Sequence, residues 1–178
     1  IYASTSTAGY GKWGVYGFAG GGTASLYTIF DYYFVADGND PTTLNVYYLR
    51  MDNQALNVFI GTMTLYRVDG GISTALASTQ VPLVQAGVCT EADYEITRSL
   101  TDGFTIIRNA FKYNTDCPVN STITWQDSTY YESDYVLLRA NAVTTSGLAT
   151  ILFDNIYVAN GFYPSGNFTS QISTFTGL

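Results

Sequence analysis

The chain reads as an all-β protein, a β-sandwich with Greek-key or jelly-roll connections, and three observations predict it. Hydrophobicity alternates with a period of two along most of the sequence, while helical periodicity is scarce. The alternating segments are filled with β-branched and aromatic residues, which suit a half-buried pleated surface. Two segments, Leu26 to Val35 and Val136 to Val143, are apolar on both faces. Strands of that kind belong to packed sheets or to an interface between subunits.

Residues 1–19 form a distinct beginning, with Tyr10, Trp13, Val15, Tyr16 and Phe18 spaced by Gly9, Gly11, Gly14 and Gly17. Run extended, this arm puts Trp13 and Val15 on one face and Tyr16 and Phe18 on the other. Residues 20–22 are Gly20, Gly21 and Gly22, which predict a hinge because glycine ranges freely over φ and ψ. The sandwich body is expected over 23–178.

Within the body, Leu44, Val46 and Tyr48 alternate. Leu56, Val58 and Ile60, followed by Tyr66 and Val68, predict a longer strand that stops at the turn Asp69-Gly70-Gly71. Phe104, Ile106 and Ala110 share one face of another strand, and Ile123 with Trp125 marks a short one. Next, Tyr131, Tyr135 and Leu137 face one way, with Tyr130, Val136 and Leu138 opposite. Leu148, Leu152, Ile156 and Val158 complete the series. Turns are expected at Asp37-Gly38-Asn39-Asp40-Pro41, Thr101-Asp102-Gly103 and Ser146-Gly147. In Thr90 to Ser99 the spacing of Glu91, Tyr94, Glu95 and Arg98 offers a helical turn or two, but an irregular strand is the favoured reading. The tail from Ser165 to Leu178 reads as extended, with Phe168 and Ile172 on one side.

Hydrophobic residues are 47% of the chain, which excludes a disordered protein. Charged residues are only 12%, about half the usual share. There is no histidine, and the lysines are Lys12 and Lys112. A fold that depends on ionised carboxylates loses stability as acid protonates them. Hydroxyls and amides, which supply most of the polar surface here, do not titrate in acid. The composition therefore suits an acidic or hot exterior. A net charge of −7, with no two basic residues adjacent, lacks a phosphate-binding footprint, so no nucleic-acid partner is expected. No stretch reaches the ~20 apolar residues that span a bilayer, and no membrane insertion of the mature chain is expected.

Cys89 and Cys117 are separated enough to close a loop and would form one disulfide in an oxidising compartment. They lack the spacing of a metal or redox pair. Sequons stand at Asn120 (Asn-Ser-Thr) and Asn167 (Asn-Phe-Thr), so covalent N-glycans are expected partners. The chain begins at Ile1 without Met, as after removal of a signal peptide. Together these features predict an extracellular or cell-surface protein.

An arm rich in aromatics is costly to leave in water, since burying Trp13, Val15 or Phe18 gains roughly 1.5–3 kcal/mol each. It must dock on its own domain or into an open groove in a neighbour's sheet. The second course is donor-strand complementation, and a contact of that kind that does not close yields a linear polymer of identical subunits. The glycine hinge favours the exchange.

The Gly-hinged arm, the low-charge Tyr/Thr-rich body, the two sequons and the missing histidines together make the chain resemble the subunits of archaeal extracellular filaments, such as the threads of thermoacidophilic archaea. The resemblance implies a glycosylated β-sandwich whose N-terminal strand completes the sheet of the next subunit, for adhesion or cell–cell contact. Two alternatives stand beside it. Tyr and Trp faces also stack on sugars, as in a secreted carbohydrate-binding adhesin or lectin, and a viral capsid or spike jelly roll also uses swapped arms.

No enzyme is expected. The absence of histidine removes Ser-His-Asp and Cys-His sites, His-ligated zinc and histidine acid–base chemistry. No nucleophile elbow, P-loop or dinucleotide fingerprint is present, and no cofactor is expected. Glu132 and Asp134, or Glu91, Asp93 and Glu95, share strand faces and are the carboxylates a glycosidase would need; solvation explains them better. Asp37 to Asp40 resembles part of a calcium loop without its distant Glu, and a simple Asx turn accounts for it.

Overall fold

The computed structural model describes residues 2–5, 9–21, 26–38, 43–54, 60–82, 91–99, 101, 103–110, 121–130, 133–144 and 149–159. Among these the chain is all β. Its strands are β1 (Tyr2–Thr5), β2 (Gly11–Gly21), β3 (Leu26–Ala36), β4 (Val46–Gln54), β5 (Ile60–Asp69) and β6 (Ile72–Pro82), then β7 (Glu91–Arg98), β8 (Gly103–Ala110), β9 (Ser121–Gln126), β10 (Tyr135–Thr144) and β11 (Ala149–Ala159). A six-stranded sheet has the order β1-β10-β3-β4-β5-β6 and a five-stranded sheet the order β11-β2-β7-β8-β9. Every pairing is antiparallel. The two sheets face each other as a β-sandwich with jelly-roll-like crossovers.

The core between the sheets follows from the alternation. Tyr47, Leu49 and Met51 of β4, Met63 and Leu65 of β5, and Phe30, Tyr32 and Phe34 of β3 point inward. They meet Trp13 and Val15 of β2, Tyr94 and Ile96 of β7, and Phe104 and Ile106 of β8. The intervening residues of the six-stranded sheet form a second apolar cluster on its other face: Tyr33, Leu44, Val46, Tyr48, Val68 and Leu137, all 4% exposed or less. On β10, Tyr135 and Leu137 lie against this outer cluster while Val136 and Leu138 belong to the core, as their alternation predicts. The two-sided apolar character of β3 is thus used on both faces.

Cross-strand register builds a row of stacked rings on that outer face. Tyr33 lies opposite Tyr48, and Tyr48 opposite Tyr66. Their ring centroids are 4.9 and 4.8 Å apart, and the second pair is nearly parallel at 6°. Beside them Arg50 forks onto Asp31, Nε to Oδ1 at 2.7 Å and Nη2 to Oδ2 at 2.8 Å. The guanidinium also lies over Tyr48 and Tyr66, at 5.5 and 5.6 Å from the ring centres. The hydrogen bond to Asp31 raises the Arg50 pKa above its usual value.

Turn chemistry behaves as the residues dictate. β5 and β6 are joined through Gly70 and Gly71, with φ of 55° and 84°. Both central positions need positive φ, as in the primed hairpin turns that match strand twist. The Asp37 carboxylate accepts from the backbone N (2.8 Å) and side-chain Nδ2 (2.7 Å) of Asn45; residues 39–41 of the turn expected at Asp37 to Pro41, and Asp102 of the one expected at Thr101 to Gly103, lie outside the described residues.

Four expectations meet the structure differently. The arm drawn at 1–19 holds two strands, β1 in the six-stranded sheet and β2 in the five-stranded one, and the hinge drawn at Gly20 and Gly21 is the end of β2, with Gly20 opposite Thr150 and Gly21 opposite Ala149. Three glycines permit many conformations but forbid no ladder, and here two of them pair. The boundary at residue 20 therefore falls inside a strand of the body; Gly22 lies outside the described residues. Second, of the two docking courses left open for the arm, the single chain takes the first: β2 sits between β11 and β7 of its own chain. Third, Glu91 to Arg98 is a strand, as favoured over a helical turn, but a regular rather than an irregular one, since Tyr94 and Ile96 alternate into the core. Fourth, Tyr130 precedes β10 instead of belonging to it. The turn expected at Ser146-Gly147, together with Leu56, Val58, Tyr131, Leu148 and the tail, lies outside the described residues.

Candidate functional site

The expected donor residues Trp13, Val15, Tyr16 and Phe18 fall on β2, in a slot between β11 and β7 of the five-stranded sheet, and Tyr10 just precedes it. On one side Trp13 pairs with Val158, Phe18 with Leu152 and Tyr16 with Asp154. On the other, Trp13 pairs with Ile96, Val15 with Tyr94, Tyr16 with Asp93 and Phe18 with Glu91. Both edges of β2 are therefore hydrogen-bonded, which satisfies its backbone polar groups on two flanks. Trp13, 0% exposed, packs on Phe34 with ring centres 5.4 Å apart, and Val15 is 1% exposed. Tyr16 takes the opposite face, as predicted, and is half-buried.

Two glycines fit this strand to its slot for steric reasons. Gly11 has φ of 120°, where a side chain is strained. At Gly17 an added Cβ would meet Phe30 Cζ at 3.3 Å and Cε1 at 3.4 Å, with Tyr94 Cε2 at 3.5 Å. Those two rings, edge to face at 5.1 Å, fill the space a side chain would need. The Tyr32 hydroxyl donates to the Gly14 carbonyl at 3.4 Å, and Lys12 Nζ bonds Glu95 Oε1 at 3.1 Å on the outer face. Trp13 Nε1 is buried and has no hydrogen-bond partner among the described residues.

Where the chain runs into β2 it is clamped by a residue that sequence reasoning missed as functional. Arg98, at the end of β7 and 2% exposed, donates from Nη1 to the Gly9 carbonyl at 3.1 Å and to the Tyr130 carbonyl, and from Nη2 to the Asp127 carbonyl at 3.1 Å. Its guanidinium lies over Tyr10 (4.7 Å), Phe104 (4.9 Å) and Tyr47 (5.3 Å). Tyr10 is thus held by a cation–π contact. The signal for Arg98 was present in the sequence: it occupies the inward position of a period-2 strand, where a cation demands partners.

The clamp extends into a polar cluster that ties the 127–130 segment, after β9, to the six-stranded sheet. The Tyr47 hydroxyl donates to Asp127 Oδ1, and Arg67 Nη1 donates to Asp127 Oδ2 at 2.6 Å and Thr129 Oγ1 at 2.9 Å. Arg67 Nε bonds Asp69 Oδ2 at 2.9 Å. The Tyr130 hydroxyl reaches Asp69 Oδ1 and, at 2.9 Å, the Val68 carbonyl. Burial works against the Asp127 charge, but hydrogen bonds from Thr129, Tyr47 and Arg67 outweigh it and hold the carboxyl below its ordinary pKa. At Asp69 the Tyr130 hydroxyl is the chief cause of a lowered value, against desolvation and with help from Arg67. Burial, with the bond to Asp127, pushes the Tyr47 phenol up to about 12. Chemically this is a dense set of paired donors and acceptors, suited to holding segments together.

Other predicted residues are placed as follows. Asp93 and Glu95 lie half-buried on the outer face of β7, and burial raises the Asp93 pKa. Asp134 is exposed, while Glu132 lies outside the described residues. Cys89, Cys117, Asn120 and Asn167 also lie outside them, and of Phe18 only the strand position is described. Among the described residues no group of His, Cys, Asp or Glu could hold a metal ion, and no helix is long and apolar enough to cross a membrane.

No family model matches this chain, and no curated protein does. Among solved structures it is similar to the CBM2 module of Lactobacillus casei BL23 phage J-1 evolved Dit, with 13% identity and a TM-score of 0.60. That likeness covers 84% of this chain and 64% of the module's chain. A Bacillus licheniformis β-glucanase aligns at 12% identity and a TM-score of 0.39, over 81% of this chain and 70% of that one. At such identities the phage module shares the fold alone: this chain is a jelly-roll-like β-sandwich.

Proposed function

We propose that this protein is a non-catalytic, extracellular structural subunit that assembles with copies of itself by exchanging β2. The observation that carries the reading is the position of β2: it comes from the first 21 residues, yet it lies inside a sheet, one strand from its edge, paired on both sides by strands from much later in the chain. Taken away, it would leave β11 and β7 as two facing edges with unsatisfied backbone groups. A second copy's β2 would restore every contact with no new surface, which is why exchange of an identical element is a low-cost route to association. If each copy donates forward, the contact does not close and a linear polymer results. The Arg98 clamp supports the same reading, since its bonds to Gly9 and Tyr10 form equally well with a neighbour's chain.

The test uses two proteins and one peptide. The full chain is expected to form polymers visible by electron microscopy, and a chain lacking residues 1–21 is expected to form none. A synthetic peptide of residues 9–21 should bind the shortened chain and raise its melting temperature. Polymers of normal length from the shortened chain, or a full chain that stays monomeric at high concentration, would overturn the proposal.

A further inference from the structure

The edges of the two sheets are β1, β6, β9 and β11. An edge strand offers unpaired N–H and C=O groups to any extended chain that meets it, and charged side chains are a common safeguard. Here the charges sit elsewhere. Each interior strand (β2, β3, β4, β5, β7, β8 and β10) carries at least one charged residue, whereas β1, β6 and β9 carry none. β1 is only four residues long, which limits what can pair with it, but β6 has eleven. Beyond β6 no strand lies among the described residues, and Ile72 to Ala75, Ser78 and Gln80 are exposed. A bulge at Leu76 interrupts the strand, since Leu65 faces Ala77 and Tyr66 faces Ala75. From Ala77 to Val81 it pairs regularly with β5, so its other edge presents an unbroken row of backbone groups.

The same side of the sandwich holds the two large hydrophobic residues exposed among the described ones, Ile72 at 73% and Trp125 at 42%. Register shows why. Trp125 lies opposite Phe104 on the inner face of β9, and Phe104 meets Tyr47 with ring centres 4.9 Å apart. Tyr47 lies opposite Arg67, and Arg67 opposite Thr74 of β6. Ile72, two residues before Thr74, shares its face. β6 and β9 thus flank one side of the sandwich, and each leaves an inward-facing hydrophobe partly in water there.

We propose that β6 pairs antiparallel with β6 of a second copy, about a two-fold axis and through residues 77–81, so that the two six-stranded sheets run on as one. The unmet groups belong to a backbone ladder, so another extended edge is what satisfies them, and an identical edge does so by antiparallel self-pairing. Charge selects the same partner surface. Two copies at −7 each repel one another overall, and the uncharged β6–β9 side lets them meet without setting like charges together. Ile72 and Trp125 lose water in the same contact, which adds an apolar gain to the ladder. A two-fold contact is closed, so it does not extend a head-to-tail polymer; it joins two of them side by side. This surface is separate from the β2 slot and goes beyond the exchange reading.

The full chain is followed by light scattering and sedimentation from about 1 to 500 µM, a span that brackets the weak affinity of a small edge contact. Single chains should give way to pairs across that range, and polymers should be two subunits wide in electron micrographs. Hydrogen exchange of the outward β6 amides should slow as pairs form. Ser78→Lys/Gln80→Lys, at two exposed positions, sets like charges across the two-fold and should weaken pairing about tenfold or more. Ser78→Glu/Gln80→Glu should do the same, and an equimolar mixture of the two variants should pair again. Gln80→Lys mixed with Gln80→Glu repeats the test should melting curves show that the double variants do not fold. A chain that stays single throughout the range, charged variants that each pair as well as the parent, or a mixture that stays unpaired would overturn the proposal. Protection of every β6 amide in the single chain would overturn it too, because the chain's own residues would then cover the edge. Polymers one subunit wide would overturn only this inference. Pairs that never polymerise would overturn only the exchange reading.

Discussion

Asp31 and Arg50 show how much a single pair carries when it sits in an apolar sheet face. Asp31 is 2% exposed, and its two oxygens are taken by the two arms of one guanidinium. Removing one member of such a pair strands the other charge, which costs about 3–5 kcal/mol. Arg50→Ala, which strands the buried Asp31 carboxylate, should lower unfolding free energy by that order in a urea titration. Arg50→Lys should recover only part, because an ammonium cannot make the fork or lie flat over Tyr48 and Tyr66. At the β5–β6 turn the decisive quantity is backbone conformation rather than contact. A Cβ at Gly70 would meet nothing within 4 Å, but φ there is +55°. Gly70→Ala is therefore expected to cost about 1–2 kcal/mol through left-handed strain alone, and Gly70→Asn clearly less, as read from melting temperatures. If the two substitutions cost the same, strain is not the reason for the glycine.

At the scale of the element, β2 is held by one large anchor and by a glycine that makes room. Trp13→Ala should cost about 3–5 kcal/mol, the usual consequence of emptying a core aromatic site. Trp13→Phe should cost much less, because the indole N–H forms no bond among the described residues and phenylalanine buries none. Gly17→Val sets a branched side chain against Phe30 and Tyr94 and should cost about 1–3 kcal/mol by overpacking. In both cases hydrogen exchange of the β7 and β11 amides, which face β2, should rise along with the loss of stability. Unchanged protection of those amides would mean that β2 does not hold the sheet together.

For the molecule as a whole, the sparse charge does not make the fold indifferent to acid, since two carboxylates, Asp69 and Asp127, help tie the 127–130 segment to the six-stranded sheet. Asp127 is held below its ordinary pKa, so its contribution is complete above the unfolded value of about 3.9 and is lost as pH falls through the folded one. Asp93 has the opposite sign: its raised value favours the folded state at low pH and costs stability as pH rises through that interval. Asp127→Asn should therefore cost roughly 1.5–3 kcal/mol at pH 7, the range for hydrogen bonds to a charged group. The gap from the parent should narrow steadily between pH 5 and pH 2 in guanidinium titrations. A gap independent of pH would show that the Asp127 charge contributes nothing.

How legible this protein is depends on the range of the interaction concerned. Local pattern sufficed for the fold class, for the Asp69-Gly70-Gly71 hairpin and for the opposed faces of Val136 and Leu137, because side-chain alternation and positive φ are properties of neighbouring residues. It also sufficed to show that Trp13 and Val15 share a buried face. Local pattern could not say that Gly20 and Gly21 pair with β11 instead of bending, since glycine carries no side chain to bias the choice. Nor could it bring Arg98 to Gly9, or Asp127 to Tyr47 and Arg67, contacts that join residues from 60 to 89 positions apart. The sequence by itself determined an all-β chain with two-sided strands and an aromatic first segment. Only the tertiary structure decided which strands that segment lies between, because strand pairing is a contest among distant edges that alternation alone does not distinguish.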